Sequence, residues 1–303
     1  MEHIIRVENL KKYYREVKAV DDISFSVERG ELFGFLGVNG AGKSTTINML
    51  CTLVKPAAGA VTISGLELGK EDEEIKKHIG IVYQNNVLDR LLTVKENLWT
   101  RGSLFESNPR IMRRNLANVC DILELGDQLK RPYGKLSGGQ KRRCELACAL
   151  MHTPEILFLD EPTTGLDPAT RKAVWSALHV LQRDMNMTIF LTTHYMEEAA
   201  QADHIGIMEK GQLIQFGTPF SLKEEFAKDR LCLCPKEDSR IEVEKLLLQQ
   251  NIAFKWKENR VVVKVASTIE ALPVLETVKD LIEGFEVIQG SMDDVFLNAT
   301  GGK

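Results

Sequence analysis

The chain has 303 residues, with 39 Lys and Arg against 43 Asp and Glu, which gives a formal net charge of −4. This balance argues against a generally basic nucleic-acid-binding protein. No apolar run approaches the roughly 20 residues that a membrane-spanning helix needs. The six cysteines lack the paired spacing of a zinc site. We therefore expect a soluble or peripheral protein with reduced thiols.

The first two thirds of the sequence alternate between predicted strands and helices. Polar and apolar residues alternate over 4–10 and 23–27, which predicts antiparallel strands with one buried face. Residues 31–36 are more continuously apolar, as in a strand covered on both faces. The elements predicted after it are a helix at 43–53, a helical region at 93–125, a strand at 156–159, a helix at 169–182, a strand at 189–193 and a hairpin at 204–216. This order predicts a parallel α/β core.

The pattern changes after Thr218 and Pro219. The elements predicted there are a helix at 219–228, a strand at 230–234, a helix at 238–250, strands at 252–257 and 260–265, a helix at 269–282, a strand at 285–288 and a short helix at 291–298. The β-α-β-β-α-β order within them predicts a small ferredoxin-like α+β domain. We therefore expect two domains, 1–218 and 219–303.

A phosphate-binding loop follows the strand at 31–36. The sequence G-x-x-x-x-G-K-S-T lies between a predicted strand and a predicted helix. Its residues are Gly37, Val38, Asn39, Gly40, Ala41, Gly42, Lys43, Ser44 and Thr45. Backbone N–H groups and the helix N-terminus should surround phosphate oxygens, with Lys43 reaching the β and γ phosphates and Ser44 binding Mg²⁺. The alternative is a glycine-rich turn with a solvated lysine. The motif alone predicts a nucleoside triphosphate and does not distinguish ATP from GTP.

The segment Leu136–Gln140 reads LSGGQ, and Ser137 is well placed to cap the helix that follows it. LSGGQ at this place is the signature of the ATP-binding cassette (ABC) ATPases, and the chain resembles that family from about residue 4 to 218. The resemblance implies a P-loop cassette with an antiparallel β subdomain, a parallel α/β core and a helical subdomain at about 88–150. Lys141, Arg142 and Arg143 follow in the first turns. We expect them either to meet a phosphate or to form a solvated basic face.

Further residues match the family's catalytic motifs. Asp160, at the end of an apolar strand, resembles the Walker B aspartate near Mg²⁺, and Glu161 the general base that polarises the attacking water. His194 resembles the switch histidine that contacts the γ phosphate. Gln84 resembles the Q-loop glutamine, a ligand of Mg²⁺ and water. The resemblance thus implies Lys43, Gln84, Glu161 and His194 as catalytic residues, with ATP and Mg²⁺ as cofactors.

An aromatic residue near the N-terminus resembles the family's adenine-stacking residue. The sequence Leu10-Lys-Lys-Tyr-Tyr14 favours Tyr14 and leaves Tyr13 open. The alternative for either tyrosine is packing within the strand.

In this family the signature of one cassette completes the phosphate site of another. The resemblance therefore implies that ATP is contacted across a dimer by Ser137, Gly138, Gly139, Gln140 and the D-loop residue Asp167. The chain has one phosphate loop and one LSGGQ. We expect a homodimer around two ATP, or a pair with a similar subunit.

Two further segments resemble drug-exporter ATPases of the daunorubicin type. They are residues 89–98, after the Q-loop, and residues 291–297, in the C-terminal extension. The resemblance implies an ATPase on the cytoplasmic face of a membrane, coupled to a multi-span permease, with no nucleic-acid partner. The alternatives are a soluble ABC ATPase that acts on ribosomes or nucleic acid, and a non-catalytic nucleotide-binding regulator.

Overall fold

The computed structural model describes residues 3–85 and 87–301. The chain divides into two compact units, Met1–Phe216 and Gly217–Lys303. Across the described residues, no helix combines the length and the apolar character needed to cross a membrane.

The first unit contains two sheets and a group of helices. Its elements in chain order are β1 (His3–Tyr14), β2 (Val17–Glu28), β3 (Leu32–Gly37), α1 (Lys43–Leu50), β4 (Ala58–Ile63), β5 (Leu66–Glu67), α2 (Asp72–His78), β6 (Ile79–Val82), α3 (Val94–Gly102), α4 (Pro109–Ile122), α5 (Gly138–Leu150), β7 (Ile156–Asp160), α6 (Pro168–Met185), β8 (Thr188–Thr193), α7 (Met196–Ala199), β9 (His204–Glu209) and β10 (Gln212–Gly217).

The larger sheet has the strand order β10-β9-β3-β8-β7-β6. The pairs β3–β8, β3–β9, β7–β8 and β6–β7 are parallel, which confirms the predicted parallel α/β core. Every residue of β3 and β8 is buried, as expected for strands covered on both faces. Because parallel strands end at the same edge, Gly37, Asp160 and Thr193 lie at one edge of the sheet.

The smaller sheet has the order β2-β1-β4-β5, and its pairs are antiparallel. An aromatic cluster joins it to the larger sheet. The ring of Phe25 on β2 lies 5.5 Å from that of Phe33 on β3 and 6.0 Å from that of Phe190 on β8. Such offset and tilted ring pairs add to the stabilisation that apolar burial gives.

The segment from β4 to α2 has no counterpart among the predicted elements. Only Val61 and Ile63 of β4 are buried, and Gly59 lies within the strand, so the apolar alternation that marks a strand is too short to detect. The helical region predicted at 93–125 consists of α3 and α4. Thr93 caps α3 with a complete capping box, in which Glu96 is the reciprocal partner.

The second unit is a ferredoxin-like α+β fold, as predicted. Its elements are α8 (Pro219–Phe226), β11 (Asp229–Pro235), α9 (Arg240–Gln249), β12 (Phe254–Lys257), β13 (Arg260–Val265), α10 (Ala271–Val278), β14 (Ile282–Ile288) and α11 (Met292–Ala299). The sheet order is β12-β13-β11-β14, with antiparallel pairs. Side chains from α9 and α10, including Val243 and Val274, share one apolar core with Leu231 and Val261 of the sheet.

One predicted boundary in this unit is wrong. The helix predicted over 269–282 ends at Val278, and a 3-10 turn follows at Lys279–Leu281. Strand β14 then begins at Ile282, three residues before the predicted start. Ile282 pairs with Pro235 of β11, so long-range strand pairing overrides the local helical pattern.

Candidate active site

The phosphate loop connects the end of β3 to the start of α1. Gly42 caps α1 with a φ of +108°, a conformation that favours glycine, and a Cβ there would overlap the carbonyl oxygen of Ala19. Gly40 has a φ of +82°, and no atom lies within 4 Å of where its Cβ would be. A ligand can therefore approach the bare backbone of the loop. Val38, Asn39 and Gly40 are exposed, as is Ser44 in the first turn of the helix.

Lys43 is buried beneath this loop, with 4% of its surface exposed. Its Nζ donates hydrogen bonds to the carbonyl oxygens of Gly37 at 2.7 Å and Val38 at 3.1 Å. Burial lowers the pKa of Lys43, and the charges of Glu161 and Asp160 oppose this effect. The lysine therefore places a charge, desolvated in part, at the base of the loop, where it can meet an anion.

The predicted metal ligands Ser44 and Asp160 lie together. The Ser44 Oγ donates to Asp160 Oδ1 over 3.2 Å. The same carboxylate oxygen accepts a 2.6 Å bond from Thr192 Oγ1, because Asp160 and Thr192 are directly paired in the β7–β8 register. A hydroxyl beside a carboxylate is a hard oxygen donor set that suits Mg²⁺. These residues therefore fit the ion that the family resemblance implies.

The other three predicted catalytic residues lie around the carboxylate of Glu161. Its Oε2 accepts a bond from Gln84 Nε2 at 3.1 Å and one from Thr164 Oγ1 at 3.1 Å. Lys43 Nζ lies 3.9 Å from its Oε1. The His194 Nδ1 lies 3.3 Å from Oε2. All four predicted catalytic side chains thus lie close together. They follow the ends of strands β3, β7 and β8 or lie in the loop after β6.

His194 contributes a ring nitrogen whose hydrogen-bonding capacity is unused. Within residues 3–85 and 87–301, its Nδ1 is buried and makes no aligned hydrogen bond, despite its proximity to Glu161. A buried polar atom without a partner is rare in folded proteins. It is consistent with a position that a ligand or an ordered water fills.

Tyr13 and Tyr14 differ in their contacts at the end of β1. The Tyr13 hydroxyl donates to Asp21 Oδ1 at 3.2 Å, which ties this ring to the β1–β2 hairpin. Tyr14 is 47% exposed, and Lys12 Nζ lies 5.3 Å from its ring centroid. Tyr13 is 39% exposed, so these contacts leave either ring available for stacking on a ligand.

The LSGGQ segment forms the start of α5. Ser137 is the N-cap, and Gln140 is its partner in a complete capping box, with bonds of 3.3 and 3.1 Å. A Cβ on Gly139 would lie 2.5 Å from Thr170 Cγ2, so any larger residue there would have to displace the Thr170 side chain. A cavity of about 150 Å³ lies between the starts of α5 and α6, lined in part by Ser137, Gly139 and Thr170. Gly138 lies at the same helix start.

Asp167 caps the neighbouring helix α6. It accepts bonds from Thr170 N at 3.0 Å and Thr170 Oγ1 at 2.6 Å. These bonds lower the pKa of Asp167 below its ordinary value. The five residues expected to act across a dimer therefore lie at the adjacent N-termini of α5 and α6, which favour anions.

Arg142 fits neither of the two alternatives expected for Lys141, Arg142 and Arg143, which were contact with a phosphate and a solvated basic face. It is buried, with 5% exposed, and it donates to Pro162 O, Tyr83 O and Glu145 Oε2. Arg142 is therefore not part of a solvated basic face, and its guanidinium is already bonded rather than free to bind a phosphate. One weak signal was available, since Glu145 follows it at i+3 on the same helix. Thr192 and Thr164, which bond the carboxylates of Asp160 and Glu161, carried no sequence signal of their own.

Comparison with known proteins places this arrangement in a family. Residues 20–164 match the family model described as ABC transporter. The daunorubicin resistance ATP-binding protein DrrA2 of Streptomyces coeruleorubidus is 35% identical, over 99% of this chain and 95% of the relative. The Nod factor export ATP-binding protein I of Rhizobium sp. (strain N33) is 40% identical, over 73% of each chain.

A solved structure agrees with this result. It is the dimeric post-hydrolysis state of the ATP-binding cassette MJ0796, bound to ADP and Pi. It is similar to this chain with a TM-score of 0.65 and 26% identity, over 71% of this chain and 98% of that one. By sequence and by fold, the chain belongs to the family of ABC transporter ATP-binding proteins.

Proposed function

We propose that the chain is the peripheral ATP-hydrolysing subunit of a membrane exporter, and that it drives transport through a separate transmembrane subunit. The observation that carries this proposal is the convergence of Lys43, Gln84 and His194 on the carboxylate of Glu161. Export is supported by the relatives named for daunorubicin resistance and Nod factor export. These names favour transport over action on ribosomes or nucleic acid.

The loop from Gly37 to Thr45 holds the phosphates of ATP, and Lys43 contacts the β and γ phosphates. Ser44, Asp160 and Gln84 would hold Mg²⁺, which neutralises phosphate charge when bound. Tyr14 stacks on the adenine ring. The exposed backbone at Gly40 and the paired oxygens of Ser44 and Asp160 support these roles.

Glu161 acts as the general base for the attacking water. Its carboxylate is held by Gln84 and Thr164, so it needs little reorganisation when the reaction begins. His194 lies beside it and orients the water and the γ phosphate. Because phosphoryl transfer needs little covalent chemistry from the protein, positioning and charge supply most of the catalysis.

A second copy of the chain completes each ATP site. The surface it offers comprises Ser137, Gly138, Gly139, Gln140 and Asp167. In the free chain, Ser137 and Gln140 bond each other and Asp167 bonds Thr170. These local bonds leave the helix N-termini facing outward, where the γ phosphate of a partner-bound ATP can meet them.

The transmembrane subunit contacts a groove of about 430 Å³ beside the Gln84 loop. Its apolar walls include Tyr83, Val87, Leu104 and Phe105. Its charged lining mixes Lys76, Lys77 and Arg101 with Glu73 and Glu145, and Lys76 pairs with Glu73 at 2.5 Å. This combination suits an amphipathic helical segment of the permease that places its apolar face in the groove. Such docking would place the chain on the cytoplasmic face of the membrane.

A Glu161→Gln substitution tests the proposed hydrolysis. The amide retains hydrogen bonds but no longer accepts a proton, so we expect ATP turnover to fall about 10²–10⁴-fold. ATP binding should persist, and the variant should accumulate as an ATP-bound dimer in size-exclusion chromatography. Exposed Glu197→Gln is the matched control. Turnover at the wild-type rate in Glu161→Gln would disprove the assignment of the base.

The proposed coupling to a transmembrane subunit can be tested separately. Tagged Glu161→Gln chain, captured from detergent-solubilised native membranes with ATP present, should co-purify with a multi-span membrane protein. Recovery with ribosomal or nucleic-acid components instead would support the alternative function.

A further inference from the structure

Arg142 is a buried cation with several backbone acceptors. Its Nε donates to Pro162 O at 2.6 Å, and its Nη1 donates to Tyr83 O at 2.7 Å and to Glu145 Oε2 at 2.9 Å. Its Nη2 also lies 3.5 Å from Asp160 O. A planar guanidinium can bond acceptors in several directions at once, which a lysine ammonium on its flexible stem does less well.

Two of these acceptors flank Glu161 along the chain. Glu161 has a φ of +46°, a conformation that residues with a Cβ rarely adopt. Such a conformation persists only where the surrounding structure fixes it. The Glu161 N–H approaches Thr192 Oγ1 at 3.0 Å and Thr192 O at 3.2 Å. Arg142 holds the carbonyl groups on either side, so the strained residue is fixed from two directions.

The third acceptor links Arg142 to the Gln84 loop. Tyr83 immediately precedes Gln84, whose Nε2 bonds Glu161 Oε2 at 3.1 Å. Glu145 holds the guanidinium in place, and its Oε1 accepts a 2.8 Å bond from the Tyr133 hydroxyl. Burial and this bond raise the pKa of Tyr133, so the hydroxyl remains a donor.

We propose that Arg142 is a positioning residue for Glu161. It fixes the backbone that aims the carboxylate, and it ties that backbone to the Gln84 loop and to α5, the helix that begins at the signature serine. Arg142 needs no contact with ATP for this role. The inference rests on the proposed function, because it takes Glu161 to be the base.

The test compares Arg142→Lys with Arg183→Lys in the full chain. Arg183 is exposed in the last turn of α6, so the control makes the same change of side chain away from the residues proposed to act in the site. For Arg142→Lys we expect kcat to fall about 10²-fold, because small misplacements of catalytic groups have effects of this size. KM for ATP should stay close to wild type, whereas Tm should fall by a few degrees because buried acceptors lose their donor. Arg183→Lys should match wild type throughout. Wild-type kcat in Arg142→Lys would overturn the inference.

A second readout separates positioning from a general structural role. If Arg142 acts through Glu161, Arg142→Lys should cause no further loss in a Glu161→Gln background, as measured by single-turnover hydrolysis. Independent, multiplicative losses would overturn the inference. If Glu161→Gln itself hydrolyses ATP normally, the proposed function fails. If Glu161→Gln is inactive and Arg142→Lys is active, only this inference fails.

If Arg142→Lys does not fold, Glu145→Gln is the variant that tests the inference instead. The amide oxygen can still accept from Arg142 and the NH₂ group can donate to the Tyr133 hydroxyl, but the negative charge that faces the buried guanidinium is removed. We expect kcat to fall about tenfold with ATP binding retained, because the charge-assisted bond that holds Arg142 becomes weaker. Wild-type kcat in this variant would overturn the inference.

Discussion

The surroundings of Glu161 and the surface at Ser137 are both rich in polar groups, but they are connected differently. Around Glu161, hydrogen bonds join residues that are distant in sequence, such as Gln84 with Glu161 and Ser44 with Asp160. At the other surface, bonds run between close neighbours, as in Ser137 with Gln140. The first region is therefore assembled by the fold of one chain, whereas the second consists of two separately capped helix starts.

This difference is what the proposed shared active site requires, in which each chain supplies two unlike halves. The half at Glu161 is preorganised, which electrostatic catalysis requires. The half at Ser137 gains long-range partners only when a ligand or another chain supplies them. The predictions below test whether the two halves meet between chains.

The largest effect is expected from mixing two inactive variants. Lys43→Ala removes the phosphate-binding charge, and Ser137→Ala removes the signature hydroxyl, so each homodimer should be inactive. In a mixed dimer with two-fold symmetry, one composite site carries both defects and the other carries neither. An equal mixture should therefore recover about a quarter of the wild-type ATPase rate, if pairing is random and sites are independent.

Lys55→Ala, at an exposed position, is the control for Lys43→Ala in this experiment and should hydrolyse ATP normally alone. A mixture that remains inactive, although both variants fold and dimerise, would contradict the shared sites.

An intermediate effect is expected from two serines with the same local structure. Ser137 caps α5 and Ser291 caps α11, each with a complete capping box. Alanine should cost about 1 kcal/mol of stability at either cap. Only Ser137→Ala should also lower kcat, by about 10²-fold if it removes a donor to the transition state. Thermal melts and ATPase assays of both variants test this. Equal kcat values would mean that Ser137 only caps a helix.

The smallest effect concerns Lys43 and pH. Its folded-state pKa lies below its ordinary value of 10.5, so protonation favours the unfolded chain. This cost is fully present below the folded pKa and disappears as the pH rises to 10.5. Without nucleotide, the Tm of wild type relative to Lys43→Met should therefore increase by at most a few degrees from pH 7.5 to 10. A constant or decreasing difference would contradict the sign.

The residues of the Glu161 site were predicted from the family resemblance, and the parallel sheet explains why they meet, since it brings strand ends to one edge. Once Gly37, Asp160 and His194 each follow a buried strand, the topology places them together. Arg142 could not be assigned in this way. Lys141, Arg142 and Arg143 are alike in composition, and only the packing of α5 against the loops decides which one is buried.

In the second unit, the limits of the helices and strands were likewise harder to predict than their order. Its element order identified the fold, yet the end of α10 was wrong by four residues. Ile282 continues an apolar pattern compatible with a helix, whereas its pairing with Pro235 depends on a strand nearly fifty residues earlier. Local patterns identify elements, and distant partners set their limits.

The contact between Gly42 and Ala19 bears on the length of the nucleotide that the chain can bind. Ala19 lies on β2, the strand paired with the one that ends at Tyr14, and Gly42 packs directly against its carbonyl group. The hairpin that carries Tyr14 and the loop that leads to Lys43 are thus in direct backbone contact. If adenine stacks on Tyr14 and the phosphates bind the loop, as proposed, the fixed span between the two sets the length of ligand that can occupy both.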